Sequence, residues 1–258
     1  MSDQPPAIRL ALAERVATIT LERPPLNVLD LASLARLEDV LVELADRDDL
    51  AVVVLRGAGA RAFSAGVAVE DHTKEKIPAM LATFHGALRR LMALDAVTVA
   101  AVHGHCLGGG MELALSCDLV VASDDARFGQ PEIKVGCYPP WAAALYPRRI
   151  GAGRAAELIL SGRIADCAEA ERLGLVARRA PAGELEAALD ALLAELTAHS
   201  TPVLRLAKRA LRAGRELPFD AAVAECERLY LEELTATEDV AEGVAAFLAR
   251  RPPRWQHR

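Results

Sequence analysis

Three consecutive glycines, Gly108, Gly109 and Gly110, stand between an apolar run at Val97–Val102 and the start of a helical pattern. A backbone without Cβ atoms lets a ligand approach closely. The first amides of a helix have no partners inside it and carry the positive end of its dipole. The stretch therefore predicts a strand–turn–helix unit that binds an anion. Glu112 lies in the first turn of this helix, and an oxyanion site beside an acid suits enolate chemistry.

Strand-like and helical patterns alternate through the first half of the chain. Apolar runs typical of strands occupy Val16–Leu21, 51–56, Val97–Val102 and 119–122. Helical periodicity covers Leu31–Ala45, where Asp30 is a candidate N-cap, and 74–94. This alternation predicts parallel strand pairing and an α/β fold. The spacing fits a turning repeat of strand and helix, but no sequence repeat supports it.

From about residue 150 onward the pattern predicts helices throughout. They cover 154–160, Cys167–Leu173, 185–198, 202–213, 219–234 and 240–249. Thr201-Pro202 is a typical helix start, because proline is favoured in the first turn. No Gly/Ser linker precedes this region, so we expect it to pack on the α/β body or on a neighbouring subunit.

Composition limits the kind of partner and the compartment. The formal net charge of −6 argues against nucleic acid or an anionic membrane as partner. Residues 1–6 carry no apolar signal core, and no apolar run approaches the ~18 residues that span a bilayer. The five cysteines form no C-x-x-C pair, which favours free thiols in a reducing compartment. We expect a cytoplasmic protein.

Two further stretches could carry chemistry. A second glycine turn at Gly66 follows the strand at 51–56 and again permits close backbone approach. Farther along, a proline stiffens the backbone just before Glu132 and so fixes where its carboxylate points. Neighbouring Phe128, Ile133 and Val135 predict partial desolvation and a raised pKa for Glu132.

Taken together, these motifs resemble the crotonase (enoyl-CoA hydratase/isomerase) superfamily. The motifs are Ala62-Phe63-Ser64-Ala65-Gly66, Ala101-Val102-His103-Gly104, Gly108-Gly109-Gly110-Met111-Glu112-Leu113-Ala114, Cys117-Asp118 and Phe128-Gly129-Gln130-Pro131-Glu132-Ile133. The resemblance implies an α/β spiral of repeated β-β-α units with a C-terminal helical oligomerisation region. It places a core with a CoA-thioester site at 1–198 and the oligomerisation region at 199–258.

The resemblance also implies a reaction. It assigns the oxyanion amides to Val67 and Gly109, where they would hold the thioester carbonyl of an acyl-CoA. Glu112 and Glu132 match the two carboxylates of the enoyl-CoA hydratase branch, a lyase that adds water to a 2-enoyl-CoA. Water addition creates an enolate, and one ionised and one protonated glutamate can serve a single water. We expect Glu112, beside helix amides, to be the ionised base and Glu132 the proton donor.

The expected binding residues follow from the same resemblance. They are Leu26, Ala65, Gly66, Ala68, Val69, Gly108, Pro139, Trp141, Phe247 and Arg250. No metal and no cofactor are expected, since coenzyme A is part of the substrate. The resemblance implies a homotrimer or hexamer in which Phe247 and Arg250 lie near the CoA nucleotide of the adjacent subunit, with Arg250 supplying charge for a phosphate.

The chain departs from the common family pattern at two places. Ala68 stands where the family commonly has Asp, and 135–142 contains two prolines and Trp141 instead of several glycines. These residues must reshape the acyl pocket. The turn after Gly66, with Glu70-Asp71-His72-Thr73, is similar to hydratases of cyclic dienoyl-CoA thioesters. We therefore expect a bulky or cyclic acyl group, with a straight-chain enoyl group as the alternative.

Some features of the sequence bear on functions other than hydration. An enoyl-CoA isomerase, or other enolate chemistry on an acyl-CoA, is the main alternative. The G-x-G-x-x-A patterns at 57–62 and 151–156 lack the strand-to-helix context of a dinucleotide site. The helix at Leu31–Ala45 is acidic, which disfavours an RNA-binding relative. His103 and His105 beside Cys106 are expected to be packing residues, not metal ligands, and no Ser-His-Asp triad is indicated.

Overall fold

The computed structural model describes residues 7–258, so the expectation for residues 1–6 lies outside the described part. Residues 7–258 contain ten strands: β1 (Ile8–Ala13), β2 (Val16–Leu21), β3 (Val52–Gly57), β4 (Ala62–Ser64), β5 (Val97–Val102), β6 (His105–Leu107), β7 (Leu119–Ser123), β8 (Arg127–Gly129), β9 (Ile164–Asp166) and β10 (Arg178–Ala180). Six form one sheet in the order β1-β2-β3-β5-β7-β10, parallel except for the β1–β2 pair. Four form a second sheet, β4-β6-β8-β9, in which only β9 runs antiparallel to its neighbour.

Ten α-helices accompany the strands in the described part of the chain. They are α1 (Leu31–Ala45), α2 (Ile77–Ala93), α3 (Gly109–Leu115), α4 (Pro140–Ile150), α5 (Ala152–Ser161), α6 (Cys167–Leu173), α7 (Leu185–Thr197), α8 (Thr201–Glu216), α9 (Phe219–Arg228) and α10 (Glu238–Leu248). Short 3-10 turns occur at Val69–Asp71, Pro131–Val135 and Leu234–Ala236, and a π turn at Leu229–Glu233.

A repeated unit builds the two sheets. In each of the pairs β3–β4, β5–β6 and β7–β8, the first strand enters the large sheet and the second enters the small sheet. Helices α2, α3 and α4 follow these pairs in turn. The expected α/β spiral of β-β-α units, followed by C-terminal helices, is therefore confirmed. Every residue of β5 is buried, which explains its uninterrupted apolar run.

Local signals predicted the long elements well. Strands β2 and β5 and helices α1 and α6 have the expected bounds, and the Asp30 carboxylate accepts a 2.9 Å hydrogen bond from the amide of Ser33, which confirms the N-cap. The prediction of helices throughout after residue 150 is wrong, because β9 and β10 lie there. The helix expected over 219–234 is present as one continuous helical stretch, which is α-helical to Arg228, forms a π turn at Leu229–Glu233 and enters a 3-10 turn at Leu234. Strands β9 and β10 have only three residues each, too few to show a periodic pattern in the sequence. They form by pairing with β8 and β7, respectively.

The C-terminal helices are joined to the sheet by a buried cation. Lys208 of α8 is 6% exposed, and its Nζ lies 2.8 Å from Oδ2 of Asp118. The same Nζ donates to the carbonyl oxygen of Ala96 at 2.8 Å. Burying an amine in this way requires a complete set of polar partners. Helix α8 is therefore fixed to the residues directly before β5 and β7, at the N-terminal edge of these two parallel strands.

No helix within residues 7–258 is both long and apolar enough to cross a membrane. All five cysteines are free thiols, and Cys106, Cys117 and Cys167 are buried.

Candidate active site

Val67 and Gly109 come from different repeats and meet in space. Val67 follows β4, and Gly109 is the first residue of α3. A Cβ placed on Gly109 would lie 3.0 Å from Cγ2 of Val67, and one placed on Gly66 would lie 3.1 Å from the Gly109 nitrogen. Neither the Val67 nor the Gly109 amide donates a hydrogen bond to another of the described residues. The structure thus brings the segments that carry these two amides into contact, as an oxyanion site would require.

Buried polar side chains hold the turn that carries Val67. The hydroxyl of Ser64 donates to the carbonyl oxygen of Asn27 at 2.8 Å and accepts from the amide of Gly66 at 3.1 Å. Asn27 in turn donates to the carbonyl oxygen of Ala62 at 2.8 Å. Sequence reasoning missed the positioning by Asn27 and Ser64. A polar residue directly before the Ala-Gly pair was the only local signal for it.

The glycine cluster is required by close packing. A Cβ on Gly110 would lie 2.3 Å from the carbonyl oxygen of Ser64, which no side chain tolerates. Gly108 has φ of +54°, and a Cβ there would lie 2.8 Å from Oε1 of Glu132. Protein atoms thus approach the backbone closely at this turn, and the expected approach of a ligand stays a prediction. The close packing places the Glu132 carboxylate against the start of α3.

Glu112 projects from the first turn of α3 into a buried position. The side chain is 4% exposed, and its Oε1 accepts a 2.8 Å hydrogen bond from the amide of Ala142 in α4. Burial raises the pKa of Glu112 to about 7, with a further rise from the charge of Glu132 and an opposing effect from the Ala142 amide. Burial thus outweighs the helix amides that were expected to keep Glu112 charged.

Glu132 lies half-buried in the turn Pro131–Val135. Burial raises its pKa, and the nearby charge of His72 opposes that rise. The expected apolar surroundings are wrong in part, because Ile133 and Val135 are 40% and 67% exposed and point to solvent. Phe128 is fully buried as part of β8. The local sequence could not show which neighbours cover the carboxylate.

Several expected binding residues surround these groups. The amide of Ala65 donates to the carbonyl oxygen of Leu26 at 2.8 Å, and the amide of Ala68 donates to that of Leu29 at 2.9 Å. These bonds bring the segment around Leu26 beside the Val67 turn. Val69, in contrast, is largely exposed.

Pro139 and Trp141 define the start of α4. Pro139 is buried and occupies the N-cap position. The indole Nε1 of Trp141 donates to the hydroxyl of Ser116 at 2.9 Å. Its ring centroid lies 5.4 Å from that of His85 and 5.6 Å from Cζ of Arg89, both on α2. Trp141 therefore forms a wall between α2 and α4, one residue from the amide that holds Glu112.

Phe247 and Arg250 lie at the end of α10. Phe247 is 83% exposed, and Arg250 is also exposed. Their expected place in the site of an adjacent subunit stays a prediction.

The geometry also bears on the alternative sites. Gly57 ends β3, and the chain then continues into β4 without opening a helix, so the pattern at 57–62 lacks the dinucleotide context. Within residues 7–258, no group of three or more His, Cys, Asp or Glu side chains could hold a metal ion. Ring nitrogens of His103 and His105 are buried without partners in the same part of the chain.

Comparison with known proteins agrees with the geometry. The family described as enoyl-CoA hydratase/isomerase matches residues 12–258. A probable enoyl-CoA hydratase of Mycobacterium bovis is 39% identical over 254 residues, covering 95% of this chain and 96% of the relative. The cyclohexa-1,5-dienecarbonyl-CoA hydratase of Thauera aromatica is 38% identical over 242 residues, covering 93% and 92%. The crystal structure of an enoyl-CoA hydratase from Bacillus anthracis has 30% identity and a TM-score of 0.92, covering 98% of this chain and 100% of that one.

The fold and the site thus define an enzyme, a lyase of the enoyl-CoA hydratase type. The chain belongs to the enoyl-CoA hydratase/isomerase family. The family expected from the sequence motifs is confirmed, as are the fold and the class of reaction.

Proposed function

We propose that this chain adds water reversibly to a conjugated enoyl-CoA through an enolate held by the amides of Val67 and Gly109. The observation that carries this proposal is the convergence of two unpartnered amides and two carboxylates from separate repeats. Two aligned N–H donors stabilise negative charge on the thioester oxygen as the enolate forms. The glycines at 108–110 let the Val67 turn and the Glu132 carboxylate pack against the start of α3 at this point.

Glu112 and Glu132 act as a pair around one water in this proposal. Their pKa values are both raised, and the charge of Glu132 contributes to the rise at Glu112. Two neighbouring carboxyl groups with raised pKa values can share one proton, so one can accept a proton from water while the other donates to the α-carbon. Coupled groups titrate jointly, and the expected division of labour between them stays a prediction.

The acyl group is proposed to be bulky or cyclic. The Thauera aromatica relative is named for a cyclic dienoyl thioester. Trp141 packs against His85, and Pro139 is buried beside it. These side chains support an acyl pocket of a different shape from that of relatives in which this segment is rich in glycine. A straight-chain enoyl group is the alternative substrate. We propose that the substrate consists of the acyl chain and coenzyme A joined as a thioester, and that the reaction needs no separate cofactor and no metal.

Assembly and organisation complete the proposal. A core at 1–198 carries the site, and 199–258 forms the contacts of a homotrimer or hexamer. Large apolar side chains left exposed on the C-terminal helices support such contacts: Leu211, Phe219, Tyr230, Leu231, Phe247 and Leu248. Burying them against a neighbour would remove apolar area from water. Phe247 and Arg250 would then reach the CoA nucleotide of the adjacent subunit. The expected location is the cytoplasm.

A substrate panel tests the reaction. Purified protein is offered straight-chain and cyclic dienoyl-CoA thioesters, and loss of the conjugated absorbance is followed together with product mass. Hydration increases the mass by one water, whereas isomerisation leaves the mass unchanged and moves the double bond. A product of unchanged mass would replace hydration by the isomerase alternative. Sedimentation of a monomer at micromolar concentration would contradict the proposed assembly.

A further inference from the structure

A chain of two buried polar side chains leads from α4 to Glu132. Gln130 and Tyr146 are both fully buried. The amide group of Gln130 lies 2.5 Å from the hydroxyl of Tyr146 on one side and 3.0 Å from both carboxylate oxygens of Glu132 on the other. The hydration mechanism described above makes no use of Tyr146. Gln130 contacts Glu132 and is itself held by Tyr146, so this pair of buried groups can affect how the Glu132 carboxylate is held.

The orientation of the Gln130 amide follows from the partners available to it. If its nitrogen donates to Tyr146, the amide oxygen faces the Glu132 carboxylate, and two acceptors then oppose each other. The Tyr146 hydroxyl hydrogen would also have no acceptor among the described residues. In the opposite orientation, Tyr146 donates to the amide oxygen, and the amide nitrogen donates to Glu132. Only this orientation satisfies all three groups.

We propose that Tyr146 is a positioning residue that fixes the Gln130 amide with its nitrogen toward Glu132, and thereby holds the Glu132 carboxylate in its charged form before substrate binds. This inference rests on the proposed function, since it concerns one member of the carboxylate pair. It departs from the expectation that Glu132 is the protonated member. The roles within the pair are then exchanged: the charged Glu132 accepts the proton of the bound water, and Glu112, whose pKa burial raises to about 7, donates to the α-carbon.

Electrostatics around Glu132 agree with this arrangement. Burial raises the pKa of the Tyr146 hydroxyl well above its usual value, so the hydroxyl remains a hydrogen-bond donor. The charged groups that face Glu132 are His72, from the turn after β4, and Glu112, from α3. Both remain when Tyr146 is changed. An altered titration of Glu132 in a Tyr146 variant would therefore arise from the amide.

The test removes the hydroxyl and keeps the ring. In Tyr146→Phe the Gln130 amide is free to rotate. Its nitrogen is then no longer fixed as a hydrogen-bond donor to the Glu132 carboxylate. A hydrogen bond to a charged group accounts for roughly one to two units of pKa, so we expect the pKa of Glu132 to rise by about one unit. It is measured by infrared titration of the carboxyl band that Glu132→Gln eliminates. The pH profile of kcat/KM should move upward with it.

Matched variants separate positioning from general damage. Tyr138→Phe makes the same change at a largely exposed tyrosine near the start of α4 and should leave the titration unchanged. Gln130→Met should raise the pKa of Glu132 as Tyr146→Phe does. Adding Tyr146→Phe to Gln130→Met should then cause no further shift, because the connecting amide is already absent.

Two outcomes would overturn the inference. If kcat/KM of Tyr146→Phe falls by the same factor at every pH and the pKa of Glu132 is unchanged, the role of Tyr146 is purely structural. A further upward shift in the double variant would show that Tyr146 does not act through Gln130. If Tyr146→Phe does not fold, the inference is contradicted equally by an unchanged pKa of Glu132 in Gln130→Met. Because the infrared titration needs no turnover, it remains decisive even if the protein hydrates none of the thioesters.

Discussion

The amide of Ala142 donates a 2.8 Å hydrogen bond to Oε1 of Glu112, which joins the first turn of α4 to the first turn of α3. Ala142 is available for this contact because the amides of a first helical turn have no acceptor inside the helix. The preceding Pro140 has no N–H to offer. The contact fixes the direction of a carboxylate that is otherwise surrounded by buried groups, and two of the predictions below concern that carboxylate.

Glu112→Gln is expected to stabilise the fold at alkaline pH. Burial raises the pKa of Glu112 from 4.5 to about 7 in the folded chain, so its charged form opposes folding. The resulting loss of stability begins as pH rises above the unfolded value and is complete above the folded value. Glutamine avoids that loss and can still accept from Ala142. We expect a gain of about 3 kcal/mol in unfolding free energy near pH 8 and almost none near pH 4.

Urea unfolding at several pH values measures this difference. Glu157→Gln is the control, because Glu157 is exposed, pairs with Arg163 and has a lowered pKa. It should show no gain at any pH. Equal stability of Glu112→Gln and the parent at both pH values would show that Glu112 is not held in a position that penalises its charge.

Gly109→Pro tests the oxyanion site. Proline removes one donated N–H, and its φ suits the first position of a helix. We expect kcat to fall by roughly 10²–10³-fold, the effect of losing one such donor. Gly109→Ala is the control, since it keeps the N–H but adds a Cβ that crowds Val67 and Phe84. If both variants lose activity equally, crowding and not the missing amide is responsible.

The two glutamates are tested singly and together by hydration kinetics. Glu112→Gln and Glu132→Gln keep side-chain volume but abolish proton transfer. Each should lower hydration by at least ~10²-fold, while acyl-CoA binding stays near its original strength. The double variant should lose less than the product of the single losses, because groups that act as one unit are not additive. Parent-like hydration by either single variant would contradict the two-carboxylate mechanism.

Lys208→Met tests the attachment of the C-terminal helices. The change leaves the Asp118 carboxylate without its cation, and removing one partner of a buried pair typically destabilises by about 3 kcal/mol. Asp118 also accepts from the amide of Thr98 at 2.8 Å, so its charge cannot simply move away. Arg215→Met, on the same helix but paired only with the adjacent Glu216, should change stability by under ~1 kcal/mol. Chemical unfolding that gives equal values for both variants would show that the buried contact contributes nothing.

The sequence alone determined those parts of the molecule whose signals are local. The apolar runs of β2 and β5, the N-cap at Asp30 and the alternation of these strands with α1 and α2 needed only neighbouring residues, whereas β1, β4, β6 and β8 were not expected. The glycines at 108–110 and the positions of Glu112 and Glu132 were enough to indicate the family. Such features depend on backbone conformation and on side chains a few residues apart, which a single chain displays directly.

The tertiary structure decided what depends on contacts between distant segments. All four strands of the second sheet are three residues long, and they are held in place by pairing with one another. Burial by groups far along the chain raised the pKa of Glu112 despite its place at a helix start. Ile133 and Val135 are close to Glu132 in sequence but face solvent. Tyr146, which is distant in sequence, is linked to Glu132 through the Gln130 amide. Desolvation and hydrogen bonding act through space, and sequence proximity does not specify them.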